Sequence, residues 1–165
     1  MVRRKIFDIV DVINENSCFN LQFRKDTRVD RTNSPTYYRW QAQFVITLPK
    51  RKLPYLLKIR RSLKCGKISL AKNQARFSIQ KIEDLSQVAI PFFKESFFSG
   101  KKQNDFELWK KAVQIMYANK GKYVSEWAKN EMLHLIHIHE AMLKNKKNPR
   151  QSKWIEMAKS LTKTS

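Results

Sequence analysis

The stretch DIVDVINENSCFNLQF, Asp8 to Phe23, changes its hydrophobic period with no room for a loop between the two halves. Ile6, Ile9, Val10 and Ile13 recur at helical spacing and predict a short helix over residues 6–13. From Phe19 the period is two: Phe19, Leu21 and Phe23 take one face, Asn20, Gln22 and Arg24 the other, as in a half-buried strand. The joint is a polar cluster, Asn14, Glu15, Asn16 and Ser17. These amides and the hydroxyl suit the end of a helix, and the cluster's purpose is the question the junction raises.

The rest of the chain repeats the alternation of helix and paired strands. The run YRWQAQFVITL places Trp40, Ala42, Phe44 and Ile46 on one face and Arg39, Gln41, Gln43, Val45 and Thr47 on the other, a partner for the first strand across the polar loop DTRVDRTNSPT. LPYLLKIRRSL carries Leu56, Leu57, Ile59 and Leu63 at helical spacing, with Pro54 suited to the first turn and Gly66 closing the helix. GKISLAKNQARFSIQKI reads as a hairpin turning at KNQ, with Ile68, Leu70, Phe77 and Ile79 inward and Lys67, Ser69, Arg76, Ser78 and Gln80 outward. Helices follow at Glu83 to Phe93, Asn104 to Ala118, Val124 to Lys144 and Pro149 to Leu161, with a loop at Gly100. The expectation is an α+β domain over 1–165, a core over 1–118 followed by basic C-terminal helices over 119–165.

Net charge narrows the partner. Against 14 acidic residues stand 34 Lys and Arg, a formal charge of +20 that repels itself in a compact fold unless a polyanion neutralises it. No apolar run reaches the roughly 20 residues a bilayer span needs, so nucleic acid is expected rather than a membrane. Cys18 and Cys65 lack metal-ligand spacing and read as reduced thiols. His134 and His137 lie one turn apart with His139 off that face, too few for zinc. The start MVRRKIFDIV passes straight into patterned structure, so the mature form is expected to begin there.

If the four strands form one antiparallel sheet with helices on its apolar side, the other face carries Asn20, Gln22, Arg24, Arg39, Gln41, Gln43, Lys67, Ser69, Arg76, Ser78 and Gln80. Such side chains reach phosphates and base edges, and they are the expected nucleic-acid-binding set.

The order of these elements resembles the LAGLIDADG homing endonucleases of the single-motif kind. The likeness runs through CFNLQF, FVITLPKRKLPYLLKI, GKISLAKNQARFSIQKI, IPFFKESFFSGKKQNDFELWKKAV and KGKYVSEWAKNEMLHLIHIHEAM. It implies an αββαββα fold whose concave four-stranded sheet sits in a major groove. It also implies divalent metal, Mg2+, held by carboxylates at the base of paired motif helices. Aligned on Phe19, the motif falls on Ile9 to Ser17. Its small positions become Val10, Asp11 and Glu15, its metal-binding carboxylate Asn16, and its glycine Ser17.

An amide brings no charge to a metal, and Glu15 lies about 100° round the helix from the matched position. No catalytic residue and no metal or other cofactor is therefore expected, with Glu15 and Asn16 marking the degenerate site. Mg2+ enters only if the chain is active. Bulk at Val10 and like charges at Asp11 and Glu15 disfavour the family's homodimer, and Val45 stands where some relatives place a polar residue near the metals. Lys101 and Lys102 match a basic stretch near the family's active site and are expected as phosphate contacts or surface lysines.

Two classes of function follow. The first is a non-catalytic RNA-binding protein, an rRNA-binding component of a mitochondrial ribosome beside other ribosomal proteins; a single basic surface suits irregular RNA, whereas duplex DNA calls for a dimer. The alternative, implied by the family, is an active homing endonuclease or group I intron maturase. Family and composition rich in Lys, Asn, Ile and Phe point to an organelle, mitochondrion before chloroplast.

Overall fold

The computed structural model describes residues 10–27, 36–93, 98, 100–144, 146 and 152–163. Expectations for Ile6, Ile9, the loop at 28–35 and the start of the last helix at Pro149 lie outside them.

Residues 10–16 are helical (α1) and β1, Ser17–Thr27, begins at the next residue, so the polar cluster belongs to the helix up to Asn16. There follow β2 (Thr36–Pro49), α2 (Leu53–Leu63), β3 (Lys67–Leu70) and β4 (Gln74–Ile79). The four strands make one antiparallel sheet in the order β1-β2-β4-β3. Residues 82–92 form α3, which holds Pro91 and passes through a π turn at Leu85–Ala89. The last helices are α4 (Gly100–Ala118), α5 (Lys129–Lys144) and α6 (Ile155–Lys163).

Packing divides the chain into two compact units. The first holds the described residues up to Asn20 together with Gln43–Glu107. Its register sets Ile46, Phe77 and Ile68 in one row and Thr47, Arg76 and Ser69 in the next, so alternation delivers an apolar and a polar face. The apolar side meets a cluster of five rings. Phe44 lies 5.4 Å from Phe19 and 4.8 Å from Phe93, and Phe98 stands edge-on to Phe19 at 5.2 Å and 5.5 Å from Phe106. Each such burial stabilises the fold by about 1.5–3 kcal/mol before side-chain entropy is counted. Leu70, expected inward, is 54% exposed, because it ends the short strand at the free edge of the sheet.

α2 buries Leu56, Ile59 and Leu63 and carries Arg60 and Arg61 in its last turn, where cations offset the helix dipole. The residue that closes it is Lys64 rather than Gly66: Lys64 turns left-handed (φ 58°) and its N–H reaches Arg60 O at 2.7 Å. Gly66 serves another need, since at φ 99° a Cβ would stand 2.3 Å from the Phe77 ring.

The second unit holds Leu21–Ala42 and the described residues from Leu108 onward. Phe23 stacks on Tyr38 at 5.7 Å and meets Trp40 at 5.1 Å, and the Trp40 indole N–H donates to Met132 Sδ at 3.4 Å. The helix expected over Val124 to Lys144 is broken. Val124–Glu126 make one 3-10 turn, Trp127 is extended (ψ 147°), and α5 starts only at Lys129. Local hydrogen bonds outcompete the helix there: Tyr123 N–H donates to Glu126 Oε2 at 2.8 Å and Trp127 Nε1–H to Lys122 O at 3.4 Å.

Candidate functional site

The end of α1 is closed by donors. A helix leaves its last carbonyls without intrahelical partners. Asn14 Nδ2 donates to Val10 O and Asn16 Nδ2 to Val12 O, each at 3.0 Å and one turn back, so these amides reinforce carbonyls inside the helix rather than cover its last ones. Lys102, from the first turn of α4, reaches back to place its ammonium on Asn14 O at 2.5 Å and Ser17 O at 2.8 Å. A cation suits the negative end of the α1 dipole. Burial lowers the Lys102 pKa, with Cys18 and Asp105 acting in the opposite direction. Lys101, its neighbour, is exposed, and so is Glu15.

These groups do not fit a divalent metal. Mg2+ and Ca2+ are held by one or more carboxylates, with carbonyls and waters completing the shell. Here Asn16 turns its NH2 to the helix, Glu15 is exposed, and an ammonium already sits on the carbonyls of Asn14 and Ser17. Among the described residues, no three His, Cys, Asp or Glu side chains gather to hold an ion.

The outward sheet residues fall into the two units. In the first, Ser69, Arg76 and Thr47 form one row and Lys67, Ser78 and Val45 the next. Lys67, Ser78 and Gln80 line a cavity of about 320 Å³ with Gly66, Lys81 and Asp84. Lys67, Ser69, Arg76 and Gln80 are exposed and Ser78 and Gln43 half-buried, while Val45 is buried. Asn20 Oδ1 accepts from the Cys18 thiol at 3.3 Å.

In the second unit Gln22 is exposed, and both arginines are engaged within the protein. Arg24 Nη1 donates to Gln41 Oε1 at 2.7 Å, and Arg39 pairs with Asp26. That acid was read as the start of a loop; β1 extends through it to Thr27 and brings a carboxylate onto the outward register. Gln41 is buried.

Three histidines separate as their spacing suggests. His134 and His137 are exposed, whereas His139 is buried, its Nδ1–H donating to Leu21 O at 2.8 Å and its Nε2 accepting from Ser152 N–H at 3.3 Å. Both ring nitrogens are satisfied by the neutral imidazole, and burial lowers the His139 pKa. Cys65 is pushed up by burial, with Asp84 adding, the reverse of an activated thiolate. None of the described helices is long and apolar enough to cross a membrane.

One group went unforeseen. Tyr37, Tyr123 and Trp127 line a cavity of about 290 Å³ with Tyr38, Arg39, Trp40, Gly121, Lys122 and Val124. Its signal in the sequence is the pair of aromatics in the Gly- and Lys-rich stretch KGKYVSEW, of which the helix expected from Val124 took in Trp127.

The LAGLIDADG endonuclease family model matches residues 15–113, more than half of the chain, and the chain belongs to that family. The matched span opens at Glu15, after most of the motif helix. Among solved structures, the homing endonuclease I-TnaI superposes with a TM-score of 0.71 at 18% identity, covering 95% of this chain and 97% of the other. The group I intron-encoded homing endonuclease I-CeuI, complexed with DNA, gives 0.67 at 15% identity, over 99% and 77%. The I-SmaMI LAGLIDADG homing endonuclease bound to cleaved DNA gives 0.67 at 18% identity; 91% of this chain covers 46% of that protein, about half its length. At these identities the likeness establishes the fold. No curated protein matches the chain.

Proposed function

We propose that this chain is a nucleic-acid-binding protein that keeps the family's sheet surface without metal-dependent cleavage, and that its target is structured organellar RNA. The observation that carries the reading is the end of α1, where Asn16 and Lys102 are committed as donors to backbone carbonyls. The charge of +20 and the exposed Lys67, Arg76 and Gln80 support polyanion binding by release of counterions from phosphates. The finer form of the proposal makes the RNA ribosomal and the chain a component of a mitochondrial ribosome.

The rival reading is a DNA-cleaving endonuclease, which the names of the matched structures favour, or an intron maturase. Incubating the protein with Mg2+ and organellar DNA separates the two, because site-specific double-strand cuts overturn the proposal. Crosslinking in organelle extracts is expected to recover ribosomal RNA, and recovery of intron RNA instead favours a maturase. Lys67→Ala with Arg76→Ala is expected to weaken RNA binding and reduce its salt slope by about 2. An unchanged slope removes the sheet from the interface.

A further inference from the structure

The second unit presents aromatic faces that its own core does not use. Tyr123 is 62% exposed, yet the backbone beneath it is held at many points. Lys122 N–H donates to Asn119 O at 3.0 Å, Glu126 N–H to Tyr123 O at 2.9 Å, and Trp127 N–H to Val124 O at 3.1 Å. Asn119, itself buried, donates through Nδ2 to Ile115 O at 2.9 Å and to Glu131 Oε2 at 3.0 Å. Gly121 supplies the left-handed turn (φ 84°), with open space where a Cβ would stand. The loop is thus rigid in backbone and unpacked at one ring, an arrangement that lowers the ordering cost of binding.

Two cavities adjoin that ring. The 290 Å³ cavity described above shares Tyr37, Tyr38, Tyr123 and Val124 with a second of about 200 Å³ that also touches Ser125 and Leu161. Two acids that bond to their lining residues are engaged in doing so: Glu126 accepts from Tyr123 N–H and Asp26 from Arg39. Exposed Lys122 stands at the rim, beside the carbonyl that accepts from the Trp127 indole. Aromatic faces next to a cation are the chemistry that takes a base by stacking and its phosphate by charge.

We propose that Tyr123, with Tyr37 and Trp127, forms a site for an unpaired nucleobase, and that Lys122 meets the adjoining phosphate. The inference deepens the RNA-binding reading and rests on it. It assigns the aromatic site to single-stranded positions of the RNA, since a base within a duplex does not offer its face.

The test compares the full-length protein and its Tyr123→Ala and Tyr123→Phe variants on two fluorescent probes, a short adenosine RNA and an RNA duplex of equal length. Tyr123→Ala is expected to weaken single-strand binding about tenfold while leaving the duplex within about twofold, and Tyr123→Phe is expected to retain both. Ultraviolet crosslinking of a 5-iodouridine RNA is expected at Tyr37, Tyr123 or Trp127. Equal loss on both probes, no loss on either, or crosslinks confined to other residues overturns the site while the RNA-binding reading stands. If the unsubstituted protein binds neither probe, that reading fails and the site with it.

Discussion

The end of α1 and the loop around Tyr123 solve the same backbone problem in opposite ways. At α1 the polar side chains are spent on the backbone, Asn14 and Asn16 donating one turn back and Lys102 covering the Asn14 carbonyl at the helix end. Around Tyr123 the backbone is completed by other backbone groups and by Asn119 and Glu126, and the aromatic ring is left outward. A site that has to recognise something needs the second arrangement, because a side chain already holding the fold together has to be released before it can bind. Residues of chemically promising type stand at both places, and only their engagement tells them apart.

The sharpest way to break this comparison is Lys102→Met, which removes the donor from two partly buried carbonyls. It is expected to lower stability by about 2–3 kcal/mol. In a chain of this size that is about 5–10 °C in Tm by calorimetry. Tyr123→Ala, at an exposed ring, is expected to leave Tm unchanged, and equal shifts for the two variants remove the distinction.

Acid probes the second unit next. The folded His139 pKa is depressed, so its contribution is present above the unfolded value near 6.5 and is lost as pH falls from there toward the folded value. A proton on Nε2 would face the Ser152 N–H, donor against donor. Glu140 opposes this shift, while Lys146 and Lys159 add to it. Chemical denaturation across this range is expected to show stability falling by up to about 1.4 kcal/mol per pH unit. A His139→Gln variant is expected to lose the His139 part of that slope; an identical slope rules the residue out.

The smallest effect sharpens the first region. Asn16→Ala forfeits one side-chain bond and is expected to cost about 1 kcal/mol, with RNA affinity in filter binding unchanged. A drop in affinity would make Asn16 a contact and not a helix closure.

Much of the architecture could be read from residue spacing alone. Phe19, Phe44, Ile46, Phe77 and Ile79, assigned inward by alternation, are all buried. Alternation fixes which side of a strand a residue occupies but not what lies over it. Val45 and Gln41, assigned outward, are therefore buried as well. The last residues of β1 were missed because polar side chains carry no hydrophobic period, and with them went the pairing of Asp26 with Arg39. Lys102 was the hardest to foresee, since it acts on a carbonyl 88 positions earlier, which no local pattern encodes. The family resemblance located the degenerate motif, but the direction of the Asn16 amide needed coordinates.

The Lys102 bridge also bears on how this part of the chain tolerates change. Asn16→Asp would take the side-chain donor away from Val12 O and add a negative charge two residues after Asn14 and one before Ser17, whose carbonyls hold the Lys102 ammonium. Removing the lysine alone would strip those carbonyls of their cover. The bridge thus ties two stretches far apart in the sequence into one mutational unit, so that residues 14–17 and Lys102 are expected to tolerate substitution together better than singly.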